Sequence, residues 1–125
     1  MPPNSKKVLL VEDDTNIREL YAMALIKAGI GIMMAQDGDQ GVRMALKEHP
    51  ALVLLDIDMP IMNGYDAAAR IREDVWGKTV PIIFLTNRDD PRDQAHASIA
   101  MPERYIVKAN TGVKEVVAQV LAALK

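Results

Sequence analysis

The chain has 125 residues, half of them hydrophobic and 26% charged, a balance that fits one globular domain over residues 1–125 with no room for a second. A net charge of −2 and a pI near 5.6 speak against nucleic-acid binding, and the lack of cysteine excludes disulfides and thiolate metal sites. The polar start Met1–Lys7 lacks the apolar core of a signal peptide, and no apolar run approaches the roughly 18 residues of a membrane helix, so the expected location is cytoplasmic, away from any membrane.

Five apolar runs recur along the chain: Val8–Val11, Ile30–Ala35, Leu52–Leu55, Val80–Leu85 and Tyr105–Val107. Four are dense in Val, Ile or Leu without polar alternation, as in strands buried on both faces of a parallel sheet. Helical patterns separate them. Ile17, Leu20, Tyr21, Ala24, Leu25 and Ala28 are spaced for one helix face, with Asp14 or Thr15 as the cap and Gly29 as the end. Gly41, Val42, Ala45 and Leu46 predict a second helix closed by Pro50. Ala67, Ala68 and Ile71 predict a third, with Gly77 beyond its end. Pro91 to Ala100 predicts a short fourth. Val113, Val116, Val117, Val120, Leu121 and Leu124 give a final helix with the strongest stripe. Strand and helix thus alternate five times, which predicts a doubly wound α/β fold with a parallel sheet, right-handed crossovers and helices on both faces.

Ligand sites in such sheets lie beyond the carboxyl ends of the strands. Glu12, Asp13 and Asp14 follow the first run. Asp56, Ile57 and Asp58 follow the third, Thr86 the fourth and Lys108 the fifth. Each residue alone has a plain structural explanation, such as a turn, a helix cap or a solvated surface charge. Together, these residue types at the ends of four of the five runs predict one polar rim. Crowded carboxylates repel one another, and a hard divalent cation relieves them; an all-oxygen donor set without histidine or cysteine suits Mg²⁺. Asp56 beside a metal and a lysine is a candidate phosphoryl acceptor that would form an acyl phosphate. Mg²⁺, Thr86 and Lys108 would bind the charge spread over the phosphoryl oxygens.

The segments VLLVEDD, LVLLDIDMPIMNGYDAAARIR, IIFLT and YIVK resemble the response-regulator receiver domains of two-component signalling, over essentially the whole chain. The long middle segment is the most specific. The resemblance implies a flavodoxin-like five-stranded sheet in the order 2-1-3-4-5. It implies Asp56 as phosphoacceptor, Asp13 as a direct Mg²⁺ ligand, Glu12 as a ligand through water, and the Asp58 backbone carbonyl as a further ligand. It also implies Thr86 as the switch hydroxyl, Tyr105 as the switch aromatic and Lys108 as the phosphate-binding lysine. The phosphodonor would be a histidine kinase or phosphotransfer protein. Output would run through a partner-binding face to an unknown downstream protein, with self-catalysed phosphorylation and dephosphorylation rather than turnover of an external substrate.

Three features depart from the family's pattern. Ala109 and Asn110 follow Lys108 where a proline is usual, so a trans peptide is expected there. Asn87 follows Thr86 where a smaller residue is commoner, which narrows the approach to the site. Met101-Pro102-Glu103-Arg104 lacks the usual glycine, which puts the fourth helix in question. Asp58 and Arg88 flank the path of hydrolytic water in the resemblance, with opposite charges suited to a gate. The eight methionines are expected in packing, Trp76 over an edge of the core near the third helix, and His49 and His96 without a functional role.

Rival readings remain. Haloacid-dehalogenase-type phosphatases also place Asp-x-Asp after a buried strand, as Asp56-Ile57-Asp58 does here, but their metal-binding acids come last in the chain and they need a larger domain. A flavodoxin's first loop cradles a phosphate, which Glu12, Asp13 and Asp14 would repel. A receiver-like interaction module that no longer uses phosphate is the third alternative.

Overall fold

The computed structural model describes residues 7–87 and 91–125, so Arg88 and the proposed gate with Asp58 lie outside the described residues. Strands β1 (Lys7–Val11), β2 (Gly31–Ala35), β3 (Leu52–Asp56), β4 (Ile82–Thr86) and β5 (Arg104–Val107) alternate with helices α1 (Thr15–Lys27), α2 (Gly38–Glu48), α3 (Gly64–Glu73), α4 (Pro91–Ala97) and α5 (Val113–Ala123). Every strand pairing is parallel and the order is β2-β1-β3-β4-β5, as the resemblance implied.

Side chains alternate between the faces of a strand, and here both faces are apolar. Leu9, Val11, Val53, Leu55, Ile82 and Phe84 pack with residues of α2 and α3. Val8, Leu10, Leu52, Leu54, Ile83 and Leu85 pack with Tyr21, Ala22 and Leu25 of α1 and Val116 and Val120 of α5. That is why β1, β3 and β4 read as unbroken apolar runs. The outer strand β2 is different: Met34 is exposed, because an edge strand has a neighbour on one side only.

Helix boundaries follow local chemistry. Asp14 caps α1 by accepting the Ile17 N–H at 2.9 Å, and Gly29 ends it at φ 87. Asp37 and Asn63 cap α2 and α3 in the same way, so α2 begins earlier than its apolar stripe suggests. Helix α2 closes on His49 in the left-handed region, one residue before Pro50. The predicted buried stripes are too wide. Leu20 of α1, Leu46 of α2 and Leu121 of α5 are exposed, since contact with a sheet covers only a narrow strip of a helix.

The fourth helix is a correction in part. It is α-helical only to Ala97, and Ser98–Ala100 forms a tighter 3-10 turn. Met101 then takes φ 51, the left-handed role that a glycine would fill. Arg72 holds this turn. Its guanidinium donates to the carbonyls of Gly77 (2.7 Å), Val80 (2.6 Å), Ala100 (2.8 Å) and Met101 (3.2 Å), tying the end of α3 to both flanks of β4. Trp76 packs on the core near α3 as expected and stacks on His49 at 4.6 Å. The methionines divide: Met33, Met44, Met59 and Met62 pack against the core, but Met23, Met34 and Met101 are exposed. Among the described residues no helix is long and apolar enough to cross a membrane.

Candidate functional site

Strand register assembles the rim. Val11 is level with Leu55, so Glu12 arrives beside Asp56; Asp56 is level with Leu85, and Thr86 with Val107. The first residues after β1 and β5, and the last of β3 and β4, therefore meet at one end of the sheet. Glu12, Asp56 and Thr86 are the buried polar or charged residues of the described chain, while Asp13 and Asp58 are exposed.

The carboxylate oxygens of Glu12, Asp13 and Asp56 lie within 4.8 Å of one another. Lys108 Nζ donates to Glu12 Oε1 at 2.8 Å and stands 3.6 Å from Asp56 Oδ1. The Ile57 N–H donates to Asp56 Oδ1 at 2.9 Å, and the Asp14 N–H to Glu12 Oε2 at 3.1 Å. Arg18 of α1 braces the loop from below, donating to the Glu12 carbonyl at 2.7 Å. One ammonium thus faces three carboxylates, an imbalance that an oxygen-seeking divalent cation fits. The donor set is all oxygen, as Mg²⁺ prefers.

Electrostatics bear the crowding out. Burial pushes the Asp56 pKa up to about 7; Lys108 and the Ile57 N–H oppose the rise, and the charges of Glu12 and Asp13 add to it. Burial works to lower the Lys108 pKa, but the Glu12 hydrogen bond and the Asp56 and Glu12 charges outweigh it, so the ammonium is held firmly charged.

The loop after Asp56 is closely fitted. The Gly64 N–H bonds the Ile57 carbonyl at 2.9 Å, and a Cβ on Gly64 would run into the Asp56 carbonyl oxygen. Ile61 sits at φ 71 in a tight turn closed by Met62 N–H to Pro60 O at 2.7 Å, an uncommon state for a β-branched residue. Lys108–Asn110 forms a 3-10 turn, and no cis peptide occurs among the described residues, as Ala109 in place of proline predicted. Asn87 is exposed at the rim.

Thr86 is fully buried at the end of β4. Tyr105 is half-buried, its ring 6.3 Å from Phe84. Sequence reasoning missed Tyr65, the first residue after Gly64. Its ring meets Phe84 edge-on at 5.8 Å and stacks on His96 at 4.2 Å, and its hydroxyl lies 3.1 Å from the Asp93 carbonyl and 3.3 Å from Asp93 Oδ1. An aromatic following a glycine at a helix start was the available signal; the partners are too distant in sequence to be read locally.

Comparison with known proteins agrees with this geometry. The family model described as "Response regulator receiver domain" matches residues 8–120. The transcriptional regulatory protein ResD of Bacillus subtilis is 34% identical over 122 residues, covering 98% of this chain and 49% of that protein. The chain spans about half the length of the first curated relatives it matches. Among solved structures, chemotaxis protein CheY4 of Vibrio cholerae matches with a TM-score of 0.87 and 25% identity, over 94% of this chain and 97% of that one. The receiver domain of sensor histidine kinase PA1611 from Pseudomonas aeruginosa, solved with a magnesium ion in its active-site cleft, matches with a TM-score of 0.87 and 28% identity, over 96% and 98%.

Proposed function

Because this chain belongs to the response regulator receiver domain family of two-component systems, we propose that Asp56 accepts a phosphoryl group from a histidine kinase or phosphotransfer protein in a Mg²⁺-dependent reaction. The observation that carries the reading is the buried Asp56 carboxylate held within 4.8 Å of Glu12 and Asp13 oxygens and 3.6 Å from the Lys108 ammonium.

Asp13 and Asp56 would hold the metal directly, Glu12 through water, and the Asp58 backbone carbonyl would complete the protein's share. Bound there, Mg²⁺ would neutralise the crowded carboxylates and the charge on the phosphoryl oxygens. Asp56 forms the new P–O bond as the donor's P–N bond breaks, and the leaving imidazole takes up a proton. Lys108 supplies fixed positive charge beside the accepting oxygen, where burial strengthens it. Ile57 N–H orients the carboxylate. Thr86, next in line at the end of β4, bonds the phosphoryl oxygens and carries the change toward Tyr105, which alters the face offered to a downstream protein. The chemistry is self-contained, without turnover of an external substrate, and a cytoplasmic setting fits it.

An intact-mass measurement after incubation with Mg²⁺ and a small acyl phosphate tests this. One phosphoryl adduct is expected, absent in Asp56→Asn and without metal. Wild-type protein that takes no adduct would favour an interaction module that does not use phosphate. Free phosphate released catalytically from added monoesters would favour the phosphatase alternative.

A further inference from the structure

A second cation stands beside the first loop of the rim. Arg18 of α1 turns its guanidinium back over the start of its own helix. It donates to the Glu12 carbonyl at 2.7 Å and, at a longer 3.4 Å each, to the Asp13 carbonyl and the Thr15 hydroxyl. Glu12 and Asp13 are the acidic pair, and Arg18 grips their backbone rather than their carboxylates.

The position is electrostatically unfavourable. The N-terminal end of a helix carries partial positive charge, which disfavours a cation. A fixed positive charge next to a metal site also repels the incoming ion. The contribution of Arg18 is therefore geometric. A guanidinium presents several N–H groups in a rigid fork, which suits it to tie neighbouring carbonyls together.

The other bonds of the loop hold the residues on either side of Asp13. The Glu12 N–H donates to the Ala35 carbonyl at 3.0 Å, and Lys108 and the Asp14 N–H hold the Glu12 carboxylate at 2.8 and 3.1 Å. Asp14 accepts the Ile17 N–H at 2.9 Å. Asp13 itself is exposed, so the aim of its carboxylate follows its backbone. The Glu12 carbonyl lies in the peptide plane that joins Glu12 to Asp13, and pinning that oxygen fixes the plane from which Asp13 extends.

We propose that Arg18 is a positioning residue for the metal site: by pinning the Glu12–Asp13 peptide it aims the Asp13 carboxylate at the point where the Glu12 and Asp56 oxygens converge. This rests on the Mg²⁺ reading given above.

The test is an NMR titration of the ¹⁵N-labelled whole chain with Mg²⁺ alone, at fixed ionic strength. It follows the Ile57 and Asp14 N–H resonances, which report on the Asp56 and Glu12 carboxylates. Arg18→Met keeps most of the side-chain length and removes both charge and fork. Loss of charge by itself tightens Mg²⁺ binding, whereas loss of positioning weakens it. The expected result is a Kd raised roughly tenfold, the scale on which the outer partners of metal ligands act. An unchanged or lowered Kd overturns the proposal. Arg18→Lys keeps the charge but replaces the fork with a single ammonium, so its Kd should lie between those of wild type and Arg18→Met. A Kd equal to wild type in Arg18→Lys overturns the proposal, whether or not Arg18→Met folds. Wild type that binds Mg²⁺ but takes no adduct from acyl phosphate defeats the phosphoacceptor reading, and the Kd comparison still decides the role of Arg18.

Discussion

Replacing Asp56 with asparagine should stabilise the metal-free fold, and only at the alkaline side of the range. The Asp56 pKa stands at about 7 in the folded chain against an ordinary value of 3.8. The folded state therefore binds the proton more tightly than the unfolded state. Below about pH 4 both states are protonated and the group contributes nothing. As pH rises from there to about 7, the unfolded chain ionises freely while the folded chain resists, and stability falls; above that it levels off. A gap of about three pH units at about 1.4 kcal/mol each gives a cost of about 4 kcal/mol. Little solvent screening reduces it, since Asp56 is only 6% exposed. Asparagine is neutral throughout and keeps an oxygen to accept the Ile57 N–H. The expected gain in chelator is about 2–4 kcal/mol near pH 8, or roughly 10 °C in Tm, and close to nothing near pH 4. Thermal or urea unfolding of both proteins across that range measures it. Added Mg²⁺ should then narrow the gap by stabilising the wild type alone. A variant no more stable than wild type near pH 8, or a gain of equal size at both ends, would refute the electrostatic reasoning.

Asp13 is exposed, so Asp13→Ala should leave the fold intact and relieve repulsion in the apo site, yet abolish the metal-dependent phosphoryl adduct. An adduct forming at the wild-type rate by intact mass would remove Asp13 from the metal site. Arg72→Ala should cost about 2–4 kcal/mol, because it strips a charged donor from the carbonyls of Gly77, Val80, Ala100 and Met101. Denaturant unfolding checks this, and Arg72→Lys should rescue little, since one ammonium cannot reproduce the planar fork.

Much of the architecture was legible in the chain because it is local. Unbroken apolar runs such as Val8–Val11 and Leu52–Leu55 declare strands covered on both faces, and both are fully buried. Asp14 and Gly29 mark the ends of α1 by chemistry that acts within a few residues. Glu12, Asp13, Asp56, Thr86 and Lys108 were identifiable because each follows or ends a run, and a parallel sheet brings such ends to one rim. Less legible were the exposed Leu20, Leu46 and Leu121, since a helical stripe shows which residues share a face but not how narrow the contact will be.

The sequence by itself determined the alternation, the sheet's two-sided core and the identity of the rim residues, because periodicity and strand ends are properties of neighbouring positions. Only the tertiary structure decided how those residues engage. It set Lys108 on Glu12 at 2.8 Å with Asp56 at 3.6 Å, which depends on strands 96 residues apart in the chain. It made Met101 the left-handed residue of a turn that lacks glycine, because Arg72 was near enough to bind the carbonyls there. It also joined Tyr65 to Asp93 across 28 positions. Contacts of this kind cost the same to write in any sequence; which of them form is decided by the packing that brings their atoms within hydrogen-bond reach.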